Sequence, residues 1–448
     1  MYVQKKRVIF LGLQFLLAIA VLPLHAQLDR SPINPGGSET YKNVLGPRMA
    51  DPWIIKMGEF YYLYGTPTPG INTIDWTPMW KSRDMVNWSG PYKVYRSTTE
   101  GAPHWAGEGY HYRGKYWLLS MRGKQFKYVP YALLSSDSPE GPYTIHSRIP
   151  NNKTIDPHIF VDTDGKSYFI TKYEYILELN ADWDKLLTDW SQYDFGVKTA
   201  EGAFVIKHNN HNVFSSTMGG PENYRLMMGH SDAMLGNYTH FPDIIYDGVN
   251  RPGHGGYTVS PDGTEMWLTS HYWDKANNPA PEGWDLRWLM IDKWGGFDNK
   301  GEPNRITQSF TDNPVPSRSI VNGNIAISGK PVNASDYSDL NMPSNAADND
   351  LTTMWVPANE ILPKWLEVDV SGEFRIKSIE TTFKTKGVYK YIVEGSYERF
   401  GWTTLVDQSS NTTSATIFTD NAIDQTLARA FAVVGRGTPY VDTMKYAS

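Results

Sequence analysis

Residues 48–66 read RMADPWIIKMGEFYYLYGT, and this stretch decides the fold. An apolar strand follows Asp51, a turn forms at Gly58, and a second, aromatic strand leads away from the turn. Glycine suits such a hairpin turn because tight turns need a positive φ. A carboxylate at the start of so apolar a strand is, taken alone, ordinary turn chemistry, since Asp before Pro is common in turns. The repeats in the rest of the chain indicate a different role for Asp51.

The same hairpin pattern recurs along the chain. Its turns fall at positions 58, 114, 165, about 210, and 263, so the repeat is roughly fifty residues long. Five such units predict an all-β chain with a five-bladed β-propeller, in which four-stranded sheets surround a channel. An array of β-sandwiches is the alternative that the period leaves open. Only ADWDKLLTDW at 181–190 is predicted as a helix, which argues against a TIM barrel with its eight helices.

The pattern changes after the fifth unit. We assign residues 27–312 to the propeller and 313–324, a polar stretch with Pro and Gly, to a linker. Residues 325–448 contain short alternating strands separated by turns, which predicts a compact β-sandwich of the jelly-roll type.

The first 26 residues have the features of an export signal. A basic start precedes the apolar stretch 8–24, and a small-residue cleavage site ends at Ala26. A membrane anchor is the alternative, although the apolar stretch is short for a span. We therefore expect an exported protein, periplasmic or extracellular, with no membrane span after cleavage.

Composition excludes several classes of protein. The 448 residues carry a net charge of −6 without a basic stripe, so no nucleic-acid surface is expected. The chain has no cysteine, which excludes disulfides, cysteine-ligated zinc and thiol nucleophiles. Aromatic residues make up 14% of the chain, a content that suits both sugar binding and β-sheet cores.

One polar residue precedes the turn by six to nine positions in each unit. The innermost strands of a propeller run in the same sense, so these residues are expected to converge at one mouth of the channel. They are Asp51, Glu108, Asp156, Glu201 and His254. Crowded carboxylates push their pKa values apart, which suits acid–base catalysis on an acetal. A Ca²⁺ site is the alternative, because hard cations prefer oxygen ligands.

Several of these motifs resemble those of glycoside hydrolase family 43. They are Ala50-Asp51-Pro52, Ile155-Asp156-Pro157, Glu201-Gly202, Arg251-Pro252-Gly253-His254, and the stretch from Trp267 to His271. The resemblance covers most of residues 40–310. It implies a five-bladed propeller and an inverting hydrolase of plant polysaccharides that contain arabinose, xylose or galactose, acting on an oligo- or polysaccharide substrate.

The resemblance also implies roles for individual residues. Asp51 matches the general base, Glu201 the general acid, and Asp156 the carboxylate that orients the acid and modulates its pKa. The two carboxyls of an inverting pair are expected to be about 6.5–9.5 Å apart. Trp105, Glu108 and Arg287 are the predicted substrate-binding residues, and His254 would lie near an ion in the channel.

Two departures from the family pattern leave the substrate subclass open. Trp105-Ala106-Gly107-Glu108 stands where the family has WAPE, and Ala203 follows Glu201-Gly202 where the family has Pro.

The C-terminal segment resembles the discoidin-like coagulation-factor type C sandwiches, which include the family 32 carbohydrate-binding modules. The matching stretches are AADNDLTTMW at 346–355 and KWLEVDV at 364–370. In relatives the first loop can hold a structural Ca²⁺, for which Asp348, Asp350 and Thr353 are the candidates here. Plain turn chemistry is the alternative explanation of this loop. No cofactor is required by the expected mechanism, and Ca²⁺ is the possible ion.

Two functions follow from these observations. The first is an exported glycosidase with an appended sugar-binding sandwich. The second is a non-catalytic, lectin-like protein that binds sugars without cleaving them. A retaining, invertase-like enzyme is a third possibility, in which the first carboxylate would be a nucleophile. The sequence leaves the oligomeric state open.

Overall fold

The computed structural model describes residues 40–446 with short gaps. The gaps are 44, 46, 68–75, 97–103, 123–128, 197–198, 220–223, 243–244, 247–252, 274–286, 307–309, 311, 319–323, 327–328, 339, 398, 400, 424–426 and 436–443. The export signal predicted at 1–26 lies outside the described residues. Across the ranges that are described, none of the helices has the length and apolar character needed to span a membrane.

Five antiparallel sheets follow one another along the chain after a short strand, β1 (Thr40–Tyr41). Blade 1 contains β2 (Met49–Met57), β3 (Phe60–Pro67), β4 (Trp76–Ser82) and β5 (Ser89–Arg96); blade 2 contains β6 (His104–Tyr112), β7 (Lys115–Arg122), β8 (Tyr131–Ser136) and β9 (Thr144–Ile149); blade 3 contains β10 (His158–Val161), β11 (Ser167–Thr171) and β12 (Tyr175–Leu179); blade 4 contains β13 (Thr199–His208), β14 (His211–Met218), β15 (Arg225–Ser231) and β16 (Thr239–His240); blade 5 contains β17 (Tyr257–Val259), β18 (Met266–Trp273) and β19 (Arg287–Trp294). The predicted five-bladed propeller is confirmed, and the array of sandwiches is excluded.

The first hairpin of every blade turns where the repeat predicted. The turn residues all have positive φ; they are Gly58, Gly114, Gly165, the pair Asn209 and Asn210, and Gly263. In blade 3 the amide of Gly165 donates to the Asp162 carbonyl at 3.0 Å, so residues 162–165 form a turn.

The helix predicted at 181–190 is wrong. This segment runs along the free edge of β12, where the Leu187 amide donates to the Glu178 carbonyl at 2.8 Å. Isolated bridges join Leu179 to Leu186 and Tyr175 to Gln192. The segment therefore takes the place of a fourth strand, because the exposed backbone groups of an edge strand need partners.

The N-terminal segment closes the ring of blades. The Leu45 amide donates to the Leu289 carbonyl at 2.9 Å, and the Leu289 amide donates to the Pro47 carbonyl at 3.2 Å. The Asn43 side chain also accepts the Ile291 amide and donates to the Ile291 carbonyl. Residues from the start of the described chain thus lie along the outer edge of β19, in the last blade.

The propeller core lies between successive blades. It is formed by fully buried side chains, most of them on the middle strands, including Tyr64, Leu118, Leu133, Phe169, Phe204 and Leu268. Burial of this apolar surface is the main favourable term for a fold without disulfides.

The C-terminal part is a sandwich of two sheets. After β20 (Asn313–Pro314), which pairs with β1, one sheet has the order β21 (Val332–Ala334), β22 (Lys364–Arg375), β27 (Leu427–Gly435), β24 (Tyr391–Ser396) and β25 (Thr403–Asp407); the other has the order β26 (Ser414–Asn421), β23 (Ser378–Val388) and β28 (Met444–Tyr446). Trp355, Phe383, Tyr391 and Phe418 pack in its core. The predicted β-sandwich is confirmed, and a single 3₁₀ turn, Pro343–Ala346, is the only helical element in the described part of the chain.

The sandwich covers the end of the propeller at which the first hairpins turn. Glu373 accepts the Gly58 amide at 3.1 Å and contacts His111, and Arg399 donates to the Val161 carbonyl at 3.0 Å. The Asn209 amide donates to the Val332 carbonyl at 2.7 Å. A cavity of about 90 Å³ lies between the two parts. The mouth, at the starts of the first strands, is the opposite end of the channel.

Candidate active site

The entry to the first strand of each blade is kinked. One residue there has a left-handed backbone in every blade: Asp51 (φ 56°), Ala106 (φ 43°), Asp156 (φ 59°), Gly202 (φ 68°) and His254 (φ 41°). In blades 1, 2 and 4 the strand register shifts at this point. A left-handed non-glycine residue costs about 1–3 kcal/mol and is frequent at functional sites. Three of these strained residues are polar, and their side chains meet.

His254 joins two carboxylates. Its Nδ1 lies 3.2 Å from Asp51 Oδ1 and 3.5 Å from Asp156 Oδ2, and its side chain is buried. Burial alone would lower the pKa of His254, but Asp51 and Asp156 outweigh burial and raise the pKa to about 10. The ring is therefore an imidazolium at neutral pH. A protonated Nδ1 has no lone pair to offer, so this residue does not fit direct coordination of a cation through that atom.

Asp51 is surrounded by donors. The Thr66 hydroxyl donates to Asp51 Oδ2 at 2.6 Å, and Arg287 Nη1 lies 3.6 Å from Asp51 Oδ1. The backbone amide of Asp51 donates to Nδ1 of His271 at 3.2 Å. Burial would raise the pKa of Asp51, but His254 and Arg287 hold it below the ordinary value. This carboxylate is consequently ionised throughout the neutral range.

Asp156 is in the opposite state. Burial raises its pKa to about 8; His254 opposes that shift, while Glu201 and Asp51 add to it. Two carboxyls linked by one imidazolium are thus kept in different protonation states, because Arg287 and Thr66 lie beside Asp51, whereas Asp156 faces the negative charges of Glu201 and Asp51.

Glu201 has a separate set of partners. Lys172 Nζ lies 3.2 Å from its Oε2, and the Tyr224 hydroxyl donates to its Oε1. Burial lowers the pKa of Lys172, but Glu201 and Asp156 raise it by more, so the ammonium stays charged. The Glu201 side chain is 14% exposed and that of Asp51 12%, against 8% for Asp156. The two more accessible carboxylates are therefore Asp51 and Glu201.

Gly202 gives His254 room beside Glu201. A Cβ on Gly202 would lie 2.6 Å from Cγ of His254, and its φ of 68° would strain any other residue. The Glu-Gly pair therefore has a packing reason: the glycine lets His254 of blade 5 pack against the strand that carries Glu201.

The structure brings together Asp51, Asp156, Glu201, His254 and Arg287, as the sequence predicted for the first four. We call the first four of these residues the mouth cluster.

Glu108 does not share the slot predicted for it. Beyond the kink of blade 2 it lies deeper in the channel, where it accepts hydrogen bonds from Tyr110 and from His158 Nδ1, the latter at 2.9 Å. Ala106 takes the position at the mouth. The error arose because residues were counted back from the turn, and such a count ignores the bulge between Trp105 and Glu108.

Trp105 precedes the kink of blade 2 as Glu201 precedes that of blade 4. It is half-buried and packs partly against the propeller core. Its position places it at the mouth, where the sequence analysis expected a surface for a sugar ring.

Sequence reasoning missed three residues of the site: Thr66, Lys172 and Tyr224. Two of them had a detectable signal, since the second strand of each blade ends opposite the kink. Thr66 pairs with Ala50, and the Lys172 amide donates to the Ile155 carbonyl at 2.9 Å. Aligning the ends of the second strands would have found both residues. Tyr224 lies directly before β15, outside the hairpin pattern on which the repeat was recognised.

The loop of the sandwich proposed for calcium is organised by its own hydrogen bonds. The Asp350 amide donates to Asp348 Oδ1 at 2.9 Å, and the Thr353 hydroxyl donates to Asp348. Among the residues that the structure describes, no group of three acidic or histidine side chains is arranged to hold a metal ion. The contacts are those of turn chemistry, so we build no metal site on this loop.

A propeller with three carboxyl groups at one end of its channel, of which Asp51 and Asp156 are held in different protonation states, is an architecture of the glycoside hydrolase class. The chain belongs to the family described as Glycosyl hydrolases family 43, whose model matches residues 41–287. Residues 331–444 match the F5/8 type C domain.

Curated relatives and solved structures agree with this assignment. A Vibrio sp. protein named "Xylan 1,3-beta-xylosidase" is 26% identical over 279 residues, which is 53% of this chain and 50% of that protein. A "Putative beta-xylosidase" of Escherichia coli K12 is 32% identical over 136 residues, 27% of this chain and 24% of the relative. The chain therefore spans 50% of the length of the first curated relative and 24% of the second.

Two solved structures show the same fold. A thermostable family-43 glycoside hydrolase is 25% identical with a TM-score of 0.52, covering 62% of this chain and 99% of its own. A family-43 protein from Bacillus licheniformis is 16% identical with a TM-score of 0.50, covering 91% and 99%.

Proposed function

We propose that this protein is a glycoside hydrolase that cleaves β-xylosidic bonds of xylan-type glycans with inversion at the anomeric carbon. The observation that carries the proposal is the difference between the two accessible carboxylates. Asp51 is held ionised by His254 and Arg287, whereas Glu201 has its own orienting partners, Lys172 and Tyr224. An inverting reaction needs one carboxylate as a base and another as an acid.

Asp51 fits the role of general base. An ionised carboxylate accepts the proton of the attacking water, and the Thr66 and Arg287 contacts fix its orientation. His254 stabilises the charge of Asp51 and keeps the carboxylate in place. Arg287, predicted to contact a substrate hydroxyl, is buried against Asp51, so orientation of the base is its best-supported role.

Glu201 fits the role of general acid, which protonates the leaving-group oxygen. Asp156 is more buried than Glu201, is neutral at pH 7 and lies on the neighbouring blade. In this assignment Asp156 helps to orient the acid without touching the reacting bond.

The xylose preference rests on similarity, because two curated relatives carry xylosidase names. The mouth is consistent with a sugar ring: blade 2 has Ala106 at the position of Asp51 and Asp156, and Trp105 at the position of Glu201. A flat apolar wall beside polar groups is the surface that a pyranose needs.

Two substitutions test the proposal. Glu201→Gln should lower kcat/KM for a xylose disaccharide by about 10²–10⁴-fold, because the leaving sugar needs a proton. Its loss should be smaller for aryl xylosides with acidic leaving groups. Asp51→Asn should lower the rates for both kinds of substrate, since every inverting turnover needs an activated water. The first-formed anomer, followed by NMR, should have inverted configuration.

Several outcomes would contradict the proposal. Retention of configuration would indicate the invertase-like mechanism with a covalent intermediate. Binding of xylo-oligosaccharides without any release of sugar would indicate the lectin-like alternative. Unchanged turnover by Glu201→Gln would remove Glu201 from its role as acid.

A further inference from the structure

A strained turn stands beside Glu201 in blade 3. Lys172, Tyr173 and Glu174 connect β11 to β12, with φ of 65° at Tyr173 and 54° at Glu174. Gly, Asn or Asp usually occupies such positions, and a bulky side chain there is a true outlier. The backbone cost is about 1–3 kcal/mol for each such residue. Strain of this kind is characteristic of functional positions.

Tyr173 is not a core residue. Its side chain is 43% exposed, which makes it one of the few large aromatic residues on the surface of the described chain. A core role therefore does not explain why a tyrosine stands at this turn.

The exposed ring is connected to the acid through its neighbour. Lys172 Nζ lies 5.0 Å from the centroid of the Tyr173 ring and 3.2 Å from Glu201 Oε2. The ring centroid is therefore at most 8.2 Å from the oxygen of the acid. A sugar in van der Waals contact with a ring lies about 4–4.5 Å from it, and a hydrogen bond adds about 3 Å. The sum of these two contacts, about 7–7.5 Å, lies within the 8.2 Å limit, so the limit allows a sugar to stack on Tyr173 with its glycosidic oxygen at Glu201.

We propose that Tyr173 is the platform of a leaving-group subsite, on which the departing sugar stacks, and that Lys172 positions the Glu201 carboxyl against the glycosidic oxygen of that sugar. The inference rests on the proposed function and deepens it, since it states which side of the cleaved bond this turn recognises. The apolar face of a sugar ring packs on the flat face of Tyr173. Lys172 is a positioning residue, because it acts through Glu201.

The subsite has a direct consequence for substrate choice. A leaving group that is itself a sugar uses both Tyr173 and the oriented acid. Fluoride uses neither, because it has no ring to stack and departs as an anion without needing a proton. Effects at this turn should therefore depend on the leaving group.

The test compares a xylose disaccharide, the better cleaved of the β-1,3- and β-1,4-linked forms, with β-xylosyl fluoride. Tyr173→Ala should lower kcat/KM for the disaccharide about tenfold, mainly through KM, as expected for loss of one stacking contact. Lys172→Ala should lower kcat for the disaccharide by at least tenfold, and Lys172→Arg should recover part of it. For the fluoride, all three variants should stay within twofold of the unaltered protein.

The matched control is Tyr92→Ala. Tyr92 is 45% exposed but lies on β5, the outer strand of blade 1, far from the mouth. It should leave both substrates unaffected. A second variant, Tyr173→Asn, separates function from folding, since Asn tolerates the left-handed backbone. It should raise Tm while disaccharide turnover falls as in Tyr173→Ala.

Three results would overturn the subsite. They are equal losses on the disaccharide and the fluoride, a loss in Tyr92→Ala as large as that in Tyr173→Ala, or unchanged disaccharide kinetics in Tyr173→Asn. Failure of the unaltered protein to hydrolyse either substrate would instead refute the proposed function, and so the two failures can be told apart.

Discussion

His254 is the residue on which the charge state of the mouth cluster depends. It lies between Asp51 and Asp156 with Nδ1 within 3.5 Å of both carboxylates. All three residues have left-handed backbones, a conformation in which Asp and His are enriched relative to most residues. The strain is retained because it turns three side chains from three blades toward one another.

Asp156 makes stability depend on pH in a direction opposite to that of most aspartates. It stays protonated in the folded protein up to pH about 8, whereas its ordinary value is 3.8. Between these pH values Asp156 is deprotonated in the unfolded chain but protonated in the folded protein, so its contribution to stability falls as pH rises.

Asp156→Asn cannot ionise, so it should lose less stability than the unaltered protein between pH 4 and pH 8. Between pH 5 and pH 8.5 the loss of unfolding free energy should be smaller in Asp156→Asn than in the unaltered protein, by on the order of 1–3 kcal/mol, a usual size for the effect of a point substitution. Urea unfolding at pH 5, 7 and 8.5 measures it. Asp164→Asn, in the exposed turn of blade 3, is the control and should follow the unaltered protein. Parallel pH profiles for Asp156→Asn and the unaltered protein would contradict this prediction.

At this scale, the sequence predicted most of the side chains that meet at the mouth, and it placed one residue wrongly. Asp51, Asp156 and His254 were found because each opens the first strand of its repeat, and the kink confirms that equivalence. Glu108 was misplaced by the bulge that follows Trp105. Tyr224 was missed because contacts between a fourth-blade side chain and Glu201 leave no trace in a periodic pattern.

The segment 181–190 shows how an edge strand can imitate a helix. Leu186, Leu187 and Trp190 are spaced like the apolar face of a helix, which is why a helix was predicted. In the fold, Leu187 is 52% exposed and the backbone pairs with β12. Pairing at a sheet edge is a tertiary effect, and local periodicity does not encode it.

Trp183 anchors this segment. It is 1% exposed, stacks on Tyr112 with centroids 4.1 Å apart, and donates to the Ser167 hydroxyl at 2.8 Å. Trp183→Ala should lower the free energy of unfolding by about 3–5 kcal/mol, as for other buried large side chains.

Chemical denaturation would measure this loss. Leu187→Ala, four residues further along the same exposed edge, should change stability by no more than about 0.5 kcal/mol. Similar values for the two variants would mean that the segment is not held by its tryptophan.

For the whole molecule, the sandwich and propeller share a buried network of charges. Arg399 Nε lies 2.6 Å from Glu367, its Nη2 lies 3.3 Å from Asp369, and its Nη1 donates to Val161 of blade 3. Both carboxylates are buried. The sequence predicted each part from its own strand pattern, but contacts between two folded parts follow from neither pattern.

Arg399→Ala should destabilise the protein by about 3–5 kcal/mol, since it leaves the buried Glu367 without its guanidinium partner and leaves Asp369 with Arg429 alone. Calorimetry should show one transition for the unaltered protein and two for the variant, because Arg399 links the parts. Arg83→Ala, which removes an exposed pair with Glu59, should cost at most about 1 kcal/mol. A loss no larger than that of Arg83→Ala would show that the network does not hold the two parts together.

The pairing of Leu45 with Leu289 sets the order in which this molecule can be completed on the ribosome. Leu45 is translated some 240 residues before Leu289, so the N-terminal segment has no strand to pair with until the last blade has been made. At roughly 5–20 residues per second, translation leaves the N-terminal segment without its partner strand β19 for about 12–50 s. Pairing of the N-terminal segment with β19 is therefore a late step with a high loop-closure cost. Until the fifth blade is made, the ring of blades is open and its unpaired strand edges can pair with other chains.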